Sequence, residues 1–247
     1  MCTVLLLRRP GHAWPLLLAA NRDERLDRPA DPPGPYWDGL VGGRDRLGGG
    51  SWMAMGACGV IACVLNREGS LGPAPGKASR GGLPLLAAAG RDAAEGAARL
   101  VALDAGDYRP FNAVVADRHA AFFIAGLGQG RAVAAPLPDG LSMLATTFPD
   151  DPAHPRIARN RPGFAAAPVP EPPDWRAWEA LLADPHGGPR EQLFVLPRDG
   201  FGTVSSSLFA FGLQSLWRYR DNDTPWRDIA LPSPARATCG GLATPLL

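Results

Sequence analysis

Residues 1–24 read MCTVLLLRRPGHAWPLLLAANRDE. Two apolar runs, Thr3–Leu7 and Leu16–Ala20, flank RRPGHAWP, in which Pro10-Gly11 supplies turn chemistry, so the stretch predicts an N-terminal β-hairpin. If the two runs pair antiparallel, the end of the second strand returns beside the start of the first, and Asn21–Asp23 lie next to Cys2. Methionine is normally trimmed when the second residue is small, and Cys qualifies. The trimmed chain would begin with a residue carrying both a thiol and an α-amine. An α-amine titrates near ~7.7–8.0, so it can act as a base at neutral pH, and a nucleophile served by an N-terminal amine is a known pairing. The same position also suits an ordinary small residue that starts a strand.

The tetrad Asn21-Arg22-Asp23-Glu24 follows directly on the second apolar run. A strand end that feeds charged groups into a loop is a frequent place for function. A solvated turn with charge pairing three residues apart would look the same from the tetrad alone. Beside Cys2, Asp23 gains a specific use, which is to bind or orient the α-ammonium.

Beyond the hairpin, the prolines, aspartates and glycines of residues 25–39 predict a loop. GLVGG, SWMAMG and CGVIACVLN then read as short strands separated by glycines. Ala- and Leu-rich segments from Leu83 to Ala105 predict helix broken at Gly90. FNAVVAD, AAFFIAG, RAVAAPL and GLSMLATT return to strand. DPAHPRIARN reads as a weak helix and Pro162–Pro173 as a surface loop. DWRAWEALLAD reads as a helix with Asp174 as N-cap and Trp175, Trp178, Leu181 and Leu182 at helical spacing. GTVSSSLFAFG, SLWRYR and RDIAL close the pattern before a Pro- and Gly-rich tail. Runs of strands alternating with runs of helices predict an α+β fold with antiparallel sheets. No linker divides two cores, so residues 1–247 read as a single domain.

The composition excludes several classes. The 247 residues are 46% hydrophobic and 20% charged, with a net charge of +1. That balance offers no general attraction for nucleic acid or an anionic membrane. No apolar run reaches the ~18 residues of a membrane span, and TVLLL is too short, with its arginines on the wrong side, for a signal peptide. A cytoplasmic protein is therefore expected. Cys2, Cys58, Cys63 and Cys239 contain no C-x-x-C spacing and describe no disulfide framework. Cys58 and Cys63 read as core residues on opposite faces of one strand. His12, His119, His154 and His186 have no metal spacing, and no metal site is expected. GPAPGKAS fails the phosphate-loop pattern at Leu71 and Ala78, and its prolines remove backbone donors. Neither a G-x-S-x-G elbow nor H-E-x-x-H occurs. A nucleophile without a catalytic His is what Cys2 would supply.

The sequence resembles the NRDE family, also called the transport and Golgi organisation protein 2 family. The resemblance rests on Met1-Cys2, LAANRDE, the GG-x-W of Gly49–Trp52, LNR at Leu65–Arg67 and Arg80-Gly81 before a helix. It continues through YRPFNAVVAD at Tyr108–Asp117, GLS at Gly140–Ser142 and FGTVSSSLF at Phe201–Phe209. That family resembles N-terminal nucleophile hydrolases, which implies a four-layer αββα sandwich. In the related acylases an N-terminal Cys attacks a linear amide, and an Asp about twenty residues later contacts the amine; Asp23 stands at that place. The resemblance thus implies catalytic roles for Cys2, Asp23, Asn21 and Arg22, and a substrate-binding shell of Glu24, Trp52, Asn66, Arg67 and Asn112. It also has departures. The Arg that precedes Asn-x-Asp in those acylases is replaced here by Ala19-Ala20. Met143 follows GLS where many members have Asn, and Val204–Ser207 replaces Arg-Thr-Asn-Thr. Asn66 and Asn112 are the candidates for the missing oxyanion donor. The expected function is hydrolysis of a linear amide or acyl small molecule without a cofactor. The alternative is a non-catalytic binding or trafficking protein for a hydrophobic small molecule such as haem or an acyl lipid.

Overall fold

A computed structural model describes residues 2–222 and 224–232. The apolar runs of the opening stretch pair as expected, with β1 at Thr3–Arg8 and β2 at Leu16–Arg25 in a register from Thr3 opposite Asn21 to Arg8 opposite Leu16. Pro10 and Gly11 take the central turn positions. Gly11 adopts φ 84°, and the His12 N–H closes on the Arg9 carbonyl at 3.0 Å, the arrangement of a type II turn. β2 is longer than its apolar run, because the tetrad continues the strand instead of leaving it. The expectation of a charged loop after Ala20 is corrected accordingly.

The remaining elements are β3 (Ala30–Trp37), β4 (Leu40–Asp45), β5 (Met53–Gly56), β6 (Ile61–Asn66), α1 (Gly82–Ala88), α2 (Ala93–Val101), β7 (Phe111–Ala116), β8 (Ala121–Gly126), β9 (Val133–Pro136), β10 (Gly140–Leu144), α3 (Pro155–Ala166), α4 (Arg176–Leu182), β11 (Phe201–Phe211), β12 (Leu216–Asp221) and β13 (Arg227–Asp228). They form two antiparallel sheets, in the orders β10-β1-β2-β11-β12-β13 and β3-β4-β5-β6-β7-β8-β9.

Strand alternation makes the layers. Val4, Leu6, Leu16 and Leu18 point from the first sheet toward Met53, Cys63, Leu65 and Val114 of the second, forming the core between sheets. Their odd-numbered neighbours Leu5, Leu17 and Ala19 point the other way, onto Ile157 and Phe164 of α3 and Trp178 and Leu182 of α4. Ala54, Ala62, Ala113 and Val115 turn the outer face of the second sheet toward Leu83 and Ala87 of α1 and Ala97 and Leu100 of α2. With both faces of both sheets covered, the strands read as apolar runs without polar alternation. The result is the αββα sandwich, an α+β fold.

Three local expectations are overturned. Residues 30–37 form a strand despite Pro32, Pro33 and Pro35. β3 sits at a sheet edge with interrupted register, where missing N–H donors cost little. α3 runs through Pro162, because burial of Ile157 and Phe164 outweighs one lost helical hydrogen bond. Cys58 lies half-buried in the turn before β6 and is disulfide-bonded, so of the two it is Cys63 that is a buried core thiol. Asp174 does assist α4, accepting the Arg176 N–H at 3.1 Å, although the cap position is Trp175. The C-terminal tail with Cys239 lies outside the described residues.

Candidate active site

The same alternation that builds the core divides the tetrad. β2 runs Leu18 inward, Ala19 toward the helices, Ala20 inward, and the pattern continues through the polar residues. Arg22 and Glu24 therefore share the face between the sheets, while Asn21 and Asp23 face α3 and α4. Since Thr3 pairs with Asn21, Cys2 falls beside the Arg22–Asp23 segment, and its thiol donates toward the Asp23 carbonyl at 4.0 Å. The hairpin thus brings Cys2, Asn21, Arg22 and Asp23 together.

On the face between the sheets, Cys2, Arg22, Trp52, Cys63, Ser205 and Ser207 help to line a chamber of about 20 Å³. This is room for about one water molecule. The Arg22 guanidinium lies 4.0 Å over the Trp52 ring and 4.0 Å from Glu24. A Cβ at Gly43 would collide with the Trp52 indole, so the glycine on β4 lets the ring lie flat against the strand. Two stretches distant in sequence meet in a similar way. Gly50 packs backbone to backbone on Gly81, and the Ser51 N–H bonds the Gly81 carbonyl at 2.8 Å. This contact brings Arg80 beside the turn that carries Trp52.

On the helix face the polar groups are interlocked. The Asn21 Nδ2 donates to the carbonyls of Leu182 and Leu193 at 2.9 and 3.0 Å, and its Oδ1 accepts from Ser206 at 2.7 Å. The Asp23 carboxylate accepts from Arg156 and from Thr203, each at 2.7 Å, and Arg156 also donates to Thr3 Oγ1 at 2.9 Å. Side-chain exposure is 1% for Arg156 and 0% for Asp23. The carboxylate side of this buried pair is well supported, since Asp23 accepts two hydrogen bonds, one of them from the Nη1 of Arg156. A bulge helps: Thr203 pairs with Asp23 and Ser205 with Arg22, leaving Val204 extra. Thr203 and Ser206 consequently both face the helices, and Ser205 and Ser207 face the chamber.

Outside the chamber a cleft of about 630 Å³ opens, lined by Cys2, Arg22, Glu24, Trp52 and Asn66 together with the loop before α1. Of the expected residues, Arg22, Glu24, Trp52 and Asn66 therefore share one space with the Cys2 thiol. Arg67 and Asn112 do not line it. Asn112 is fully buried, giving Nδ2 hydrogens to the carbonyls of Ala145 and Thr147 at 3.0 and 2.6 Å and accepting Arg67 through Oδ1 at 2.6 Å. With both amide hydrogens engaged it braces β7 to the segment that follows β10, and neither hydrogen is free to meet an oxyanion. Arg67 packs over Phe148 at 4.7 Å. Burial pushes the Cys2 thiol up from its ordinary value, and the Asp23 charge adds to this; the chain's amino charge and Arg22 oppose it. The resting group is thus a thiol, and attack needs a base. Among the described residues no cluster of His, Cys, Asp or Glu is arranged to hold a metal ion.

Sequence reading did not single out Arg156, Thr203, Ser205, Ser206, Ser207 or Arg80 as site residues. The TVSSS run in an otherwise apolar strand was a usable signal, because four hydroxyls buried in a central strand require partners. Arg156, 133 residues from Asp23 in sequence, gave none.

Comparison with known proteins bears on the family and the fold. A family model described as Transport and Golgi organisation 2 matches residues 1–164. No curated protein matches the sequence significantly. Among solved structures, a Caenorhabditis elegans N-acylethanolamine-hydrolyzing acid amidase ortholog superposes with a TM-score of 0.57 at 13% identity, covering 86% of this chain and 94% of that one. The mutant C2A conjugated bile acid hydrolase from Clostridium perfringens superposes with a TM-score of 0.52 at 11% identity, over 93% and 92% of the two chains. At these identities the likeness is one of fold, that of the N-terminal nucleophile hydrolases. No helix among the described residues is long and apolar enough to cross a membrane.

Proposed function

We propose that this chain, which belongs to the Transport and Golgi organisation 2 family, is an N-terminal nucleophile amidohydrolase in which Cys2 attacks a linear amide after Met1 is removed. The observation that carries the reading is the placement of the Cys2 thiol. It opens onto a ligand-sized cleft beside Arg22 and Trp52, with its backbone held by the β1–β2 register above the buried Asp23–Arg156 pair. Both solved structures named above are described as hydrolases of acyl conjugates, and that likeness supports the same direction.

The chemistry follows from the groups present. The trimmed α-amine takes the thiol proton as sulfur bonds to the amide carbonyl carbon. Asp23 holds the resulting ammonium by charge, and Arg156 fixes the carboxylate. Negative charge developing on the carbonyl oxygen meets Arg22, which Trp52 and Glu24 hold in place, and Asn66, which also lines the cleft. Preorganised charge at this point is commonly worth a factor of about 10²–10³ in rate for one donor. The ammonium returns its proton to the leaving amine as the C–N bond breaks. Water then cleaves the thioester, releasing the acid and regenerating the thiol. No cofactor enters this scheme.

Intact-mass measurement and acyl-probe labelling test it together. The expected result is a mass lacking Met1, with an electrophilic acyl probe bound at Cys2 and not at Cys63. A retained Met1 in active protein would sink the mechanism, because a blocked amine cannot serve as base. A binding protein built on the same cleft would instead retain its ligand unchanged in Cys2→Ala.

A further inference from the structure

The cleft is charged unevenly. Its lining includes six cationic side chains against three carboxylates. Arg28 is neutralised by Asp45 at 2.6 Å, and Arg25 by Asp27 at 2.8 Å. Arg80, Arg109 and Lys77 differ: their hydrogen bonds go to neutral acceptors. Arg109 takes the carbonyls of Gly69 and Leu71 at 2.8 Å and of Pro73 at 3.3 Å. Arg80 takes those of Ser70 at 2.8 Å, Gly72 at 3.2 Å and Pro110 at 3.1 Å, and Lys77 takes that of Gly106. None of the three makes an ion pair among the described residues.

The two arginines clamp the chain between Gly69 and Pro73 from both sides, Arg109 on odd-numbered carbonyls and Arg80 on even-numbered ones. Holding carbonyls needs donors but no net charge, so the clamp leaves two positive charges without counterions. Burial disfavours the charged form of Arg80 and Arg109 adds repulsion to it, and the weaker attraction of Cys2 and of Glu24 does not make this up. Uncompensated charge in a partly buried place is costly, and an anion entering the cleft removes that cost. The same cleft carries apolar surface: Leu47 is 69% exposed and Leu71 is 51% exposed, and both line it. Large apolar side chains left open beside a cation wall match a ligand that is apolar in one part and anionic in another.

We infer that the substrate is an anionic amphiphile, an acyl amide bearing a negatively charged group that Arg80 and Arg109 receive while Leu47 and Leu71 cover its apolar chain. This rests on the amidohydrolase reading for the word amide, but the charge recognition is separable from turnover. Arg80 and Arg109 are specificity-determining in this arrangement and take no part in bond breaking.

The test uses a matched pair of probes, N-lauroylglycine and N-lauroylglycinamide, which share chain and amide and differ by one charge. Binding is measured by calorimetry on full-length Cys2→Ala, which cannot turn either over. The carboxylate is expected to bind roughly tenfold or more tightly than the neutral amide, as charge-assisted hydrogen bonds allow. The preference is expected to shrink with added salt. Arg109→Gln should abolish most of it, and Arg109→Lys, which keeps the charge, should retain part, so a loss of folding is not mistaken for a loss of recognition. Equal binding of the two probes, or a preference unchanged in both Arg109→Gln and Arg80→Gln, overturns the inference. Turnover by the trimmed wild type separates the two claims. Equal hydrolysis of both probes leaves the hydrolase and refutes the charge recognition. Preferential binding of the carboxylate by a trimmed protein that hydrolyses neither supports the charge recognition and counts against the hydrolase.

Discussion

Replacing Arg156 by Met removes the charge that faces Asp23 while keeping most of the apolar stem in α3. The Asp23 carboxylate, fully enclosed, loses a 2.7 Å charge-assisted bond, and Thr3 loses the donor to its hydroxyl. Breaking one side of a buried pair typically costs about 3–5 kcal/mol. In a domain of this size each kcal/mol lowers the melting temperature by about 2–4 °C, so Arg156→Met should melt roughly 6–20 °C below wild type. The double variant Asp23→Asn/Arg156→Met carries neither charge and should recover part of that loss. Urea denaturation of wild type, Arg156→Met, Asp23→Asn and the double variant, read at constant slope, gives the coupling. We expect at least about 1 kcal/mol, because residues sharing one buried network do not add independently. Additivity within about 0.5 kcal/mol would refute the claim that the pair acts as a unit, and with it the account of how Asp23 is held under the N-terminus. Activity supplies a second reading: Arg156→Met protein that remains folded should lose kcat more than it changes KM.

Adding one residue between Met1 and Cys2 keeps the thiol but moves the amine, and should abolish turnover while leaving the fold intact by circular dichroism. Gly43→Ala puts a Cβ into the Trp52 ring; it should shift Trp fluorescence and lower kcat/KM on the order of tenfold by displacing Arg22, and an unchanged kcat/KM would remove Arg22 from the proposed mechanism. Glu95 is held down to about 2 by Arg91 and Arg99, against an ordinary value of 4.5. A depressed carboxylate contributes stability that is present above 4.5 and lost as pH falls toward 2. The melting temperatures of wild type and Glu95→Gln should therefore differ at pH 6 and converge near pH 2. Activity should rise with pH as the Cys2 amine loses its proton, with the rise moved above the ordinary α-amine range by the Asp23 charge, and a flat profile from pH 6 to 9 would count against the amine as base.

The hairpin was legible because apolar runs and a Pro-Gly turn are local signals. The register then follows from them, and register is what places Cys2 beside Asp23. The layers were legible in part, since Val4/Leu6 and Leu5/Leu17 are all apolar and only packing shows that they serve different cores. The strand through Pro32, Pro33 and Pro35 was hidden because prolines argue against strands except at an edge, and edge position is a tertiary property. The helix through Pro162 was hidden because Ile157 and Phe164 supply stabilisation that a propensity argument does not contain. In the site, the tetrad was visible but its division between two faces was not. Reading it as a loop forfeits strand parity, and parity alone separates Arg22 and Glu24 from Asn21 and Asp23. Asn112 misled because an amide close in sequence to a plausible strand end looks available, whereas its hydrogens are committed to Ala145 and Thr147.

Val204 can be viewed as slack in an otherwise taut line. Thr203 lies opposite Asp23 and Ser205 opposite Arg22 with Val204 between them, so deleting Val204 would keep both pairings with β2, while on the β12 side Asn222, whose N–H bonds the Val204 carbonyl at 3.1 Å, would have to find another acceptor. Every side chain would keep its address, Thr203 on the carboxylate and Ser205 at the chamber. What would change is curvature, because an extra residue bends its strand and steepens the local twist. The extra residue therefore sets the local bend of β11 and leaves untouched which groups of β2 it meets. Shape and chemistry at this site can then drift separately in evolution, the first by a single codon gained or lost.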